Sequence, residues 1–326
     1  MDMAESQELG LEVRHFRYFV RIVEDGSFSR ASLGLHISQP ALSKQVRELE
    51  SEMGVKLLAR SVRGVTATEA GLAVYQHAKA VLKQIDGTLS IAMQAGGGIA
   101  GQVGIGLPWT ISSLFGLSLL AEVRATLPHV KLEVTEGPSA DISRMLSQGK
   151  LDLAVVFGAT SHAALRVAPL VAESLWLVGA KGTLERHRPY GLEEAARLPL
   201  LLMSRPNGIR EEIERIWAAN DIPPHMVADV NAPALLVEAV QAGLGFGVLP
   251  SCAVDQKLRD GSVDAVQLSG APPQRIVCLA TSMLFPISQA TQRVHDLLRK
   301  LMRDAVEEGR WQAVLVGDDD ASASLS

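Results

Sequence analysis

The sequence predicts a mainly helical N-terminal module closed by a short hairpin, then one long helix, then an α/β domain that takes up the rest of the chain. Three observations support this division. Helical periodicity and turn signals crowd the first part of the chain. A single narrow apolar stripe runs from Thr68 to about Gln94. Beyond the glycine-rich stretch Ala95 to Gly101, all-apolar strand patterns alternate with amphipathic helices.

Composition sets the outer bounds. A chain of 326 residues, 47% hydrophobic and 21% charged, is long enough for two or three compact units and is neither fibrous nor disordered. Its net charge of −5 would, as an average, argue against a nucleic-acid partner. Two cysteines, Cys252 and Cys278, are too few for a disulfide framework and lack Cys-x-x-Cys spacing, which points to buried thiols in a reducing compartment. The N-terminal MDMAESQELGLEVRHF has no apolar core of an export signal, and no later apolar run reaches membrane-spanning length, so a cytoplasmic location without membrane contact is expected.

From Leu11 to Glu24, Val13, Phe16, Phe19, Val20 and Val23 recur at helical spacing, with Arg14, Arg17 and Arg21 on the other face. Asp25-Gly26 ends this helix. Ser27 suits the N-cap of a second one, whose inner face is Phe28, Ala31, Ser32 and Leu35. After His36-Ile37, Ser38 caps a third helix. Pro40 fits its first turn because the N–H groups there have no intrahelical partner. The third helix buries Leu42, Val46 and Leu49 and turns Gln39, Ser43, Lys44 and Arg47 elsewhere. In a helix-turn-helix, that N-terminal surface meets base edges in the major groove.

The alternative is a helical hairpin with a solvated polar face, and the following residues weigh against it. Met53-Gly54 ends the helix. Val55 to Arg60 and Val65 to Ala67 then form two short strands joined by the basic tip Ser61-Val62-Arg63-Gly64, which is a wing. Between Arg14 and Arg63 there are nine Lys and Arg against five Asp and Glu, a local charge of +4 in an acidic chain. The residues placed on the DNA are Ser27, Arg30, Ser38, Gln39, Pro40, Ser43, Lys44, Arg47, Arg60 and Arg63, and the partner is double-stranded DNA.

These residues carry a resemblance. Ser27, Ala31, Leu35, Ser38-Gln39-Pro40-Ala41, Ser43, Leu49-Glu50, Gly54, Leu57, Arg60, Thr68 and Gly71 follow in order the pattern of the LysR-type transcriptional regulators. RGVTATEAG and GQVGIGLP are most similar to the nitrogen-assimilation-control (Nac) branch. Departures are Ser32 for a usual Ala, Gly34 within the second helix, and Leu58 for a common Phe. The resemblance implies a winged helix-turn-helix at 11–67 and a linker helix at 68–95 that makes a homodimer, or a homotetramer built from it. It also implies a two-lobed, periplasmic-binding-protein-like effector domain at 96–308, a contact with RNA polymerase, and two-fold operators commonly built on T-N11-A.

From the residues themselves, Val74, Ala78, Val81, Ile85, Leu89 and Ala92 make a stripe suited to a paired helix, or to packing on the helix's own domain. Gly96 to Gly101 matches G-x-G-x-x-G, but it follows a helix and leads into a strand, the reverse of a dinucleotide fingerprint. Strands at 103–107, 130–135 and 151–157 alternate with helices at 112–126 and 142–148. A similar set recurs at 198–249, and a helix from Ile287 to Glu308 closes the domain. The lobes are expected at 101–166 with 275–308, and at 167–274, followed by a disordered tail at 309–326.

Ligands of open α/β sheets sit at carboxyl ends of strands, facing helix N-termini. The legible ends carry Trp109 and Thr110, then Ser139, then Ser204, Arg205 and Asn207. Phe157 and Trp109 are candidate walls. The resemblance places Thr110 and Ser139 around an effector carboxylate, and Arg205 could add a charged bond. Helix capping explains Thr110, Ser139 and Asn207 equally, and core packing explains the two aromatics. No Gly-x-Ser-x-Gly elbow or Walker loop is present, and the eight histidines show no ligand spacing, so neither an enzyme nor a cofactor or metal is expected. Two other readings stay open. The C-terminal half could be an oligomerisation platform needing no effector, or the chain could be a solute-binding protein or enzyme on the same fold.

Overall fold

The computed structural model describes residues 10–61, 64–94, 98–158, 164–185, 187–269, 274–284 and 286–316, with the side chains at 83 and 86–94 excepted. The chain forms two compact units, Met1–Gly101 and Gln102–Ser326.

In the first unit, α1 (Val13–Asp25), α2 (Phe28–Leu35) and α3 (Gln39–Met53) precede the antiparallel pair β1 (Leu58–Ser61) and β2 (Gly64–Ala67), and α4 (Glu69–Gln94) follows. Their shared core is Phe19, Val20, Ile22, Phe28, Ala31, Leu42, Val46, Leu49, Leu57, Leu58, Tyr75 and Ala78. The predicted inner face of α1 needs one correction: Val13 is exposed, and Ile22 and His15 are buried instead.

Thr68 starts α4 as expected. Its hydroxyl accepts from the Gly71 N–H (3.0 Å) and donates to the Lys56 carbonyl (2.7 Å), fixing helix to hairpin. Gly71 has a steric reason to be glycine, because a Cβ there would stand 2.0 Å from the Leu57 carbonyl oxygen. The first half of α4 packs on its own unit. Tyr75 and Ala78 are buried, Tyr75 Oη donates to Glu24 (3.0 Å), and Lys79 pairs with the same carboxylate (3.3 Å). The own-domain alternative therefore holds for this half, while the side chains of Leu89 and Ala92 lie outside the described residues.

The second unit runs β3 (Ala100–Leu107, its first residues in the preceding unit), α5 (Trp109–Thr126), β4 (His129–Glu136), α6 (Ser139–Ser147), β5 (Leu153–Phe157) and β6 (Leu165–Ala180). It continues through α7 (Leu192–Arg197), β7 (Leu200–Met203), α8 (Gly208–Ala219), β8 (Met226–Val230), α9 (Pro233–Gln241), β9 (Gly247–Pro250), a 3-10 turn at Ser251–Ala253 and α10 (Asp255–Arg259). β10 (Val263–Gln267), β11 (Gln274–Ser282), α11 (Gln289–Glu307) and β12 (Val314–Leu315) complete it. Strand order in the main sheet is β10-β6-β11-β5-β3-β4, with β9 and β12 also paired to β6, and β7-β8 form a separate parallel pair.

The sixteen-residue β6 is the spine of this unit. Its first part, Leu165 to Ser174, pairs antiparallel with β11, and its second, Leu175 to Ala180, with β9 and β10. One lobe thus passes into the other along a single strand, where the sequence suggested only a connecting stretch. The short elements α7, α10, β10 and the 3-10 turn were not legible, since none is long enough to show a period.

The largest correction concerns the expected tail. Trp311 is 2% exposed and meets Phe115 of α5 edge-on, with centroids 5.3 Å apart, while Val314 and Leu315 pair with Val171 and Ala172 of β6. Burial of the Trp311 indole drives this docking, and the backbone of Val314 and Leu315 adds a short strand to β6. The remainder, 317–326, lies outside the described residues.

Candidate nucleic-acid interface and effector cleft

The recognition surface follows from how α3 begins. Ser38 has extended backbone and its hydroxyl accepts from Ala41 N–H (3.4 Å), with Pro40 in the first turn, as expected. Gln39, Pro40, Lys44 and Arg47 are exposed and Ser43 is half-buried, while Leu42, Val46 and Leu49 face the core. Ser27 caps α2 at Arg30 N–H (3.4 Å). Arg30 turns its guanidinium back to the Asp25 carbonyl. Arg47 donates to the Ser43 carbonyl (3.2 Å), and Lys44 lies 3.5 Å from Glu48.

Arg60, on β1, lies over the Phe28 ring at 4.3 Å and donates to Ser43 Oγ (3.0 Å), joining the wing to the recognition helix. Arg63 lies outside the described residues. Glu50 was legible only as part of the family pattern. It is 8% exposed, and its Oε1 accepts from the N–H groups of Leu57 (2.9 Å) and Leu58 (3.2 Å), while Oε2 takes Lys56 Nζ (2.7 Å). Burial would raise this carboxyl, but the Lys56 and backbone donors outweigh it and hold it below its ordinary value. Glu50 therefore pins the start of the wing to the end of α3.

In the second unit, α5 and α6 both begin at a proline, Pro108 and Pro138, and neither start is capped by a side chain. Thr110 and Ser139, two of the residues singled out, instead bond elsewhere. Thr110 Oγ1 accepts from Arg275 (2.9 Å), and Ser139 Oγ accepts from the Phe157 N–H (3.0 Å). Arg275 lies 3.9 Å from the centre of the Phe157 ring and pairs with Glu173, which is fully buried. Glu173 also accepts from Trp311 Nε1 (2.9 Å) and from Cys252 Sγ (3.3 Å). Burial and the neighbouring Glu173 charge push the Cys252 thiol well up, so it stays protonated and donating.

Thr110 and the Phe157 ring are thus brought to Arg275, which sequence reasoning missed, and Ser139 is tied to Phe157 through its backbone N–H. The signal for Arg275 was one arginine at the head of the apolar run Ile276 to Ala280. Trp109 is half-buried against the core of Val178, Leu201 and Leu236. The other candidates are placed differently. Asn207 caps α8, accepting from Ile209 and Arg210 N–H (3.1 and 3.2 Å). Ser204 is half-buried and donates its N–H to the Val230 carbonyl (3.1 Å). Arg205 is exposed and bonded to Glu214 (2.6 Å), where α8 offers a carboxylate within reach. Among the described residues no cluster of His, Cys, Asp or Glu is placed to hold a metal, and no helix is long and apolar enough to cross a membrane.

A helix-turn-helix with a wing, followed by a two-lobed α/β domain, defines the class of two-part DNA-binding transcriptional regulators. Residues 13–72 match the family described as bacterial regulatory helix-turn-helix protein, lysR family, and residues 96–303 match the LysR substrate binding domain. The chain belongs to the LysR family and is a transcriptional regulator, not an enzyme.

It is 32% identical over 310 residues to the nitrogen assimilation regulatory protein nac of Escherichia coli, covering 93% of this chain and all of that protein. This agrees with the Nac-like branch expected from the sequence. Among solved structures it is similar to a full-length OxyR variant from Pseudomonas aeruginosa, with 25% identity, a TM-score of 0.70 and 90% of this chain and 95% of that one covered. ArgP from Mycobacterium tuberculosis shares the fold, with a TM-score of 0.69, 21% identity and 89% and 97% coverage.

Proposed function

We propose that the chain reads duplex DNA in the cytoplasm as a homodimer or homotetramer and responds to a small organic anion held between the two lobes. Gln39, Ser43, Lys44 and Arg47 take the base edges. Ser27, Arg30, Ser38, Pro40, Arg60 and Arg63 set the helix and wing against the backbone. A crystal structure of the LysR-family regulator CbnR with its target DNA supports the partner by analogy. RNA polymerase is the expected further contact.

The observation that carries the effector reading is the convergence of Thr110, Phe157 and Arg275 beside two helix starts without side-chain caps. Such N-termini with a guanidinium suit a carboxylate or similar anion. Trp109 and Ser139 complete that wall, and Arg205 and Asn207 drop out because Glu214 and α8 engage them. Thermal-shift screening against amino acids and aromatic and aliphatic acids tests this. Stabilisation that Thr110→Ala weakens supports it.

A second reading has its own observation: Arg275 already has a carboxylate partner in Glu173, so the cleft is electrostatically satisfied from within. The domain would then act without an effector. No stabilisation by any member of the series favours that version.

A further inference from the structure

We propose that residues 309–316 form a strap whose docking depends on the Arg275–Glu173 pair, so that an anion drawing Arg275 into the cleft releases it. The inference rests on the effector reading above and gives that site its regulation. Glu173 is fully buried beside the point where β6 changes partners, from β11 to β9 and β10. Its two carboxylate oxygens are divided. Oε1 accepts from Arg275 Nε, and the same guanidinium reaches Thr110 Oγ1 through Nη2 (2.9 Å). Oε2 accepts from Trp311 Nε1 (2.9 Å) and Cys252 Sγ (3.3 Å). Arg275 thus supplies the cation, while the strap supplies a neutral donor.

The strap itself is lightly held. Val314 and Leu315 pair with Ala172 and Val171, the Val316 N–H donates to the Leu170 carbonyl (3.0 Å), and the Val314 side chain is exposed. Toward Ser251, Asp255 and Arg259 a cavity of about 380 Å³ lies beside Trp311 in place of close packing. The hold therefore comes mainly from the Trp311 indole, set against Phe115 and bonded to Glu173. A carboxylate buried without its cation costs more than neutral donors offset, whereas water restores its solvation. Lifting Trp311 admits that water, and a two-residue strand resists it little. Whatever takes Arg275 from Glu173 thus favours release. By linkage, a docked strap holds Arg275 back from the cleft.

Hydrogen exchange of the full chain reads the strap at the Val316 amide and global unfolding at the amides of β5, which lies inside the sheet between β11 and β3. Arg275→Met should speed exchange at Val316 by roughly tenfold or more while β5 stays protected, as expected once a buried charge loses its partner. Adding Glu173→Gln should restore protection, since a neutral acceptor has no charge to solvate. If Arg275→Met does not fold, Arg275→Gln should release the strap, and Arg275→Lys, which keeps the charge, should hold it. In the unaltered chain, any acid of the thermal-shift series that stabilises the domain, benzoate, glutamate and succinate being among those used, should also speed exchange at Val316. Unchanged Val316 exchange in the neutral Arg275 variants, faster exchange that Glu173→Gln does not restore, or a stabilising acid that leaves Val316 protected overturns the proposal. If no acid stabilises the domain, the effector reading fails and the release step falls with it, whatever the variants show, so the two failures are told apart.

Discussion

The indole N–H of Trp311 donates to the Glu173 carboxylate at 2.9 Å, in a place where Trp311 is 2% exposed and Glu173 not at all. A residue near the C-terminus thus satisfies a charge on the strand shared by the two lobes. Trp311→Phe keeps an aromatic ring against Phe115 and removes the donor together with part of the buried ring. Loss of a bond to a buried charged acceptor should cost about 1–3 kcal/mol. Thermal unfolding of the full chain measures it, and truncation after Glu308, which also removes β12, should cost more.

Arg275→Met leaves Glu173 buried and without its cation, an arrangement that costs about 3–5 kcal/mol when one partner of a buried pair is lost. Glu173→Gln placed on top of it removes the stranded charge and keeps an acceptor for Trp311. The double variant should therefore be more stable than Arg275→Met alone. Urea titration of both decides this, and an equal or larger loss in the double variant contradicts the pairing.

Glu50 gives a pH dependence confined to the N-terminal unit. Its folded pKa is held below its unfolded value, so its contribution is fully present above the unfolded pKa and disappears as pH falls through the folded one. Hydrogen exchange at the Leu57 and Leu58 amides should therefore accelerate on acidification below the ordinary glutamate range, beyond the intrinsic trend. Glu50→Ala should show fast exchange at those amides already at neutral pH.

Gly71→Ala places a Cβ 2.0 Å from the Leu57 carbonyl oxygen, a backbone atom that cannot move without shifting the wing. Overpacking of this kind costs about 1–3 kcal/mol or more. Reduced DNA affinity with unchanged unfolding of the α/β domain is the expected outcome, checked by fluorescence anisotropy and differential scanning calorimetry.

Legibility in the sequence followed the range of the forces involved. Caps, periodicity and the turn at Ser38-Gln39-Pro40 act within a few residues, and α1 to α3, the hairpin and most α/β elements fall where those signals put them. Arg275, Glu173 and Trp311 were not legible, because their meaning depends on contacts more than a hundred residues apart for Arg275–Glu173 and Glu173–Trp311. Asn207 shows the reverse limit. A cap and a ligand contact call for the same residue type, and the structure has the side chain capping α8.

The proposed reader of base sequence is the exposed start of α3. Genomic-fragment selection by the purified protein at two salt concentrations tests it most directly, because backbone attraction fades steeply with salt and base readout does not. A palindromic motif that persists at the higher salt and is blurred by Gln39→Ala is the expected result. Recovery only of random fragments, all lost on adding salt, would contradict it.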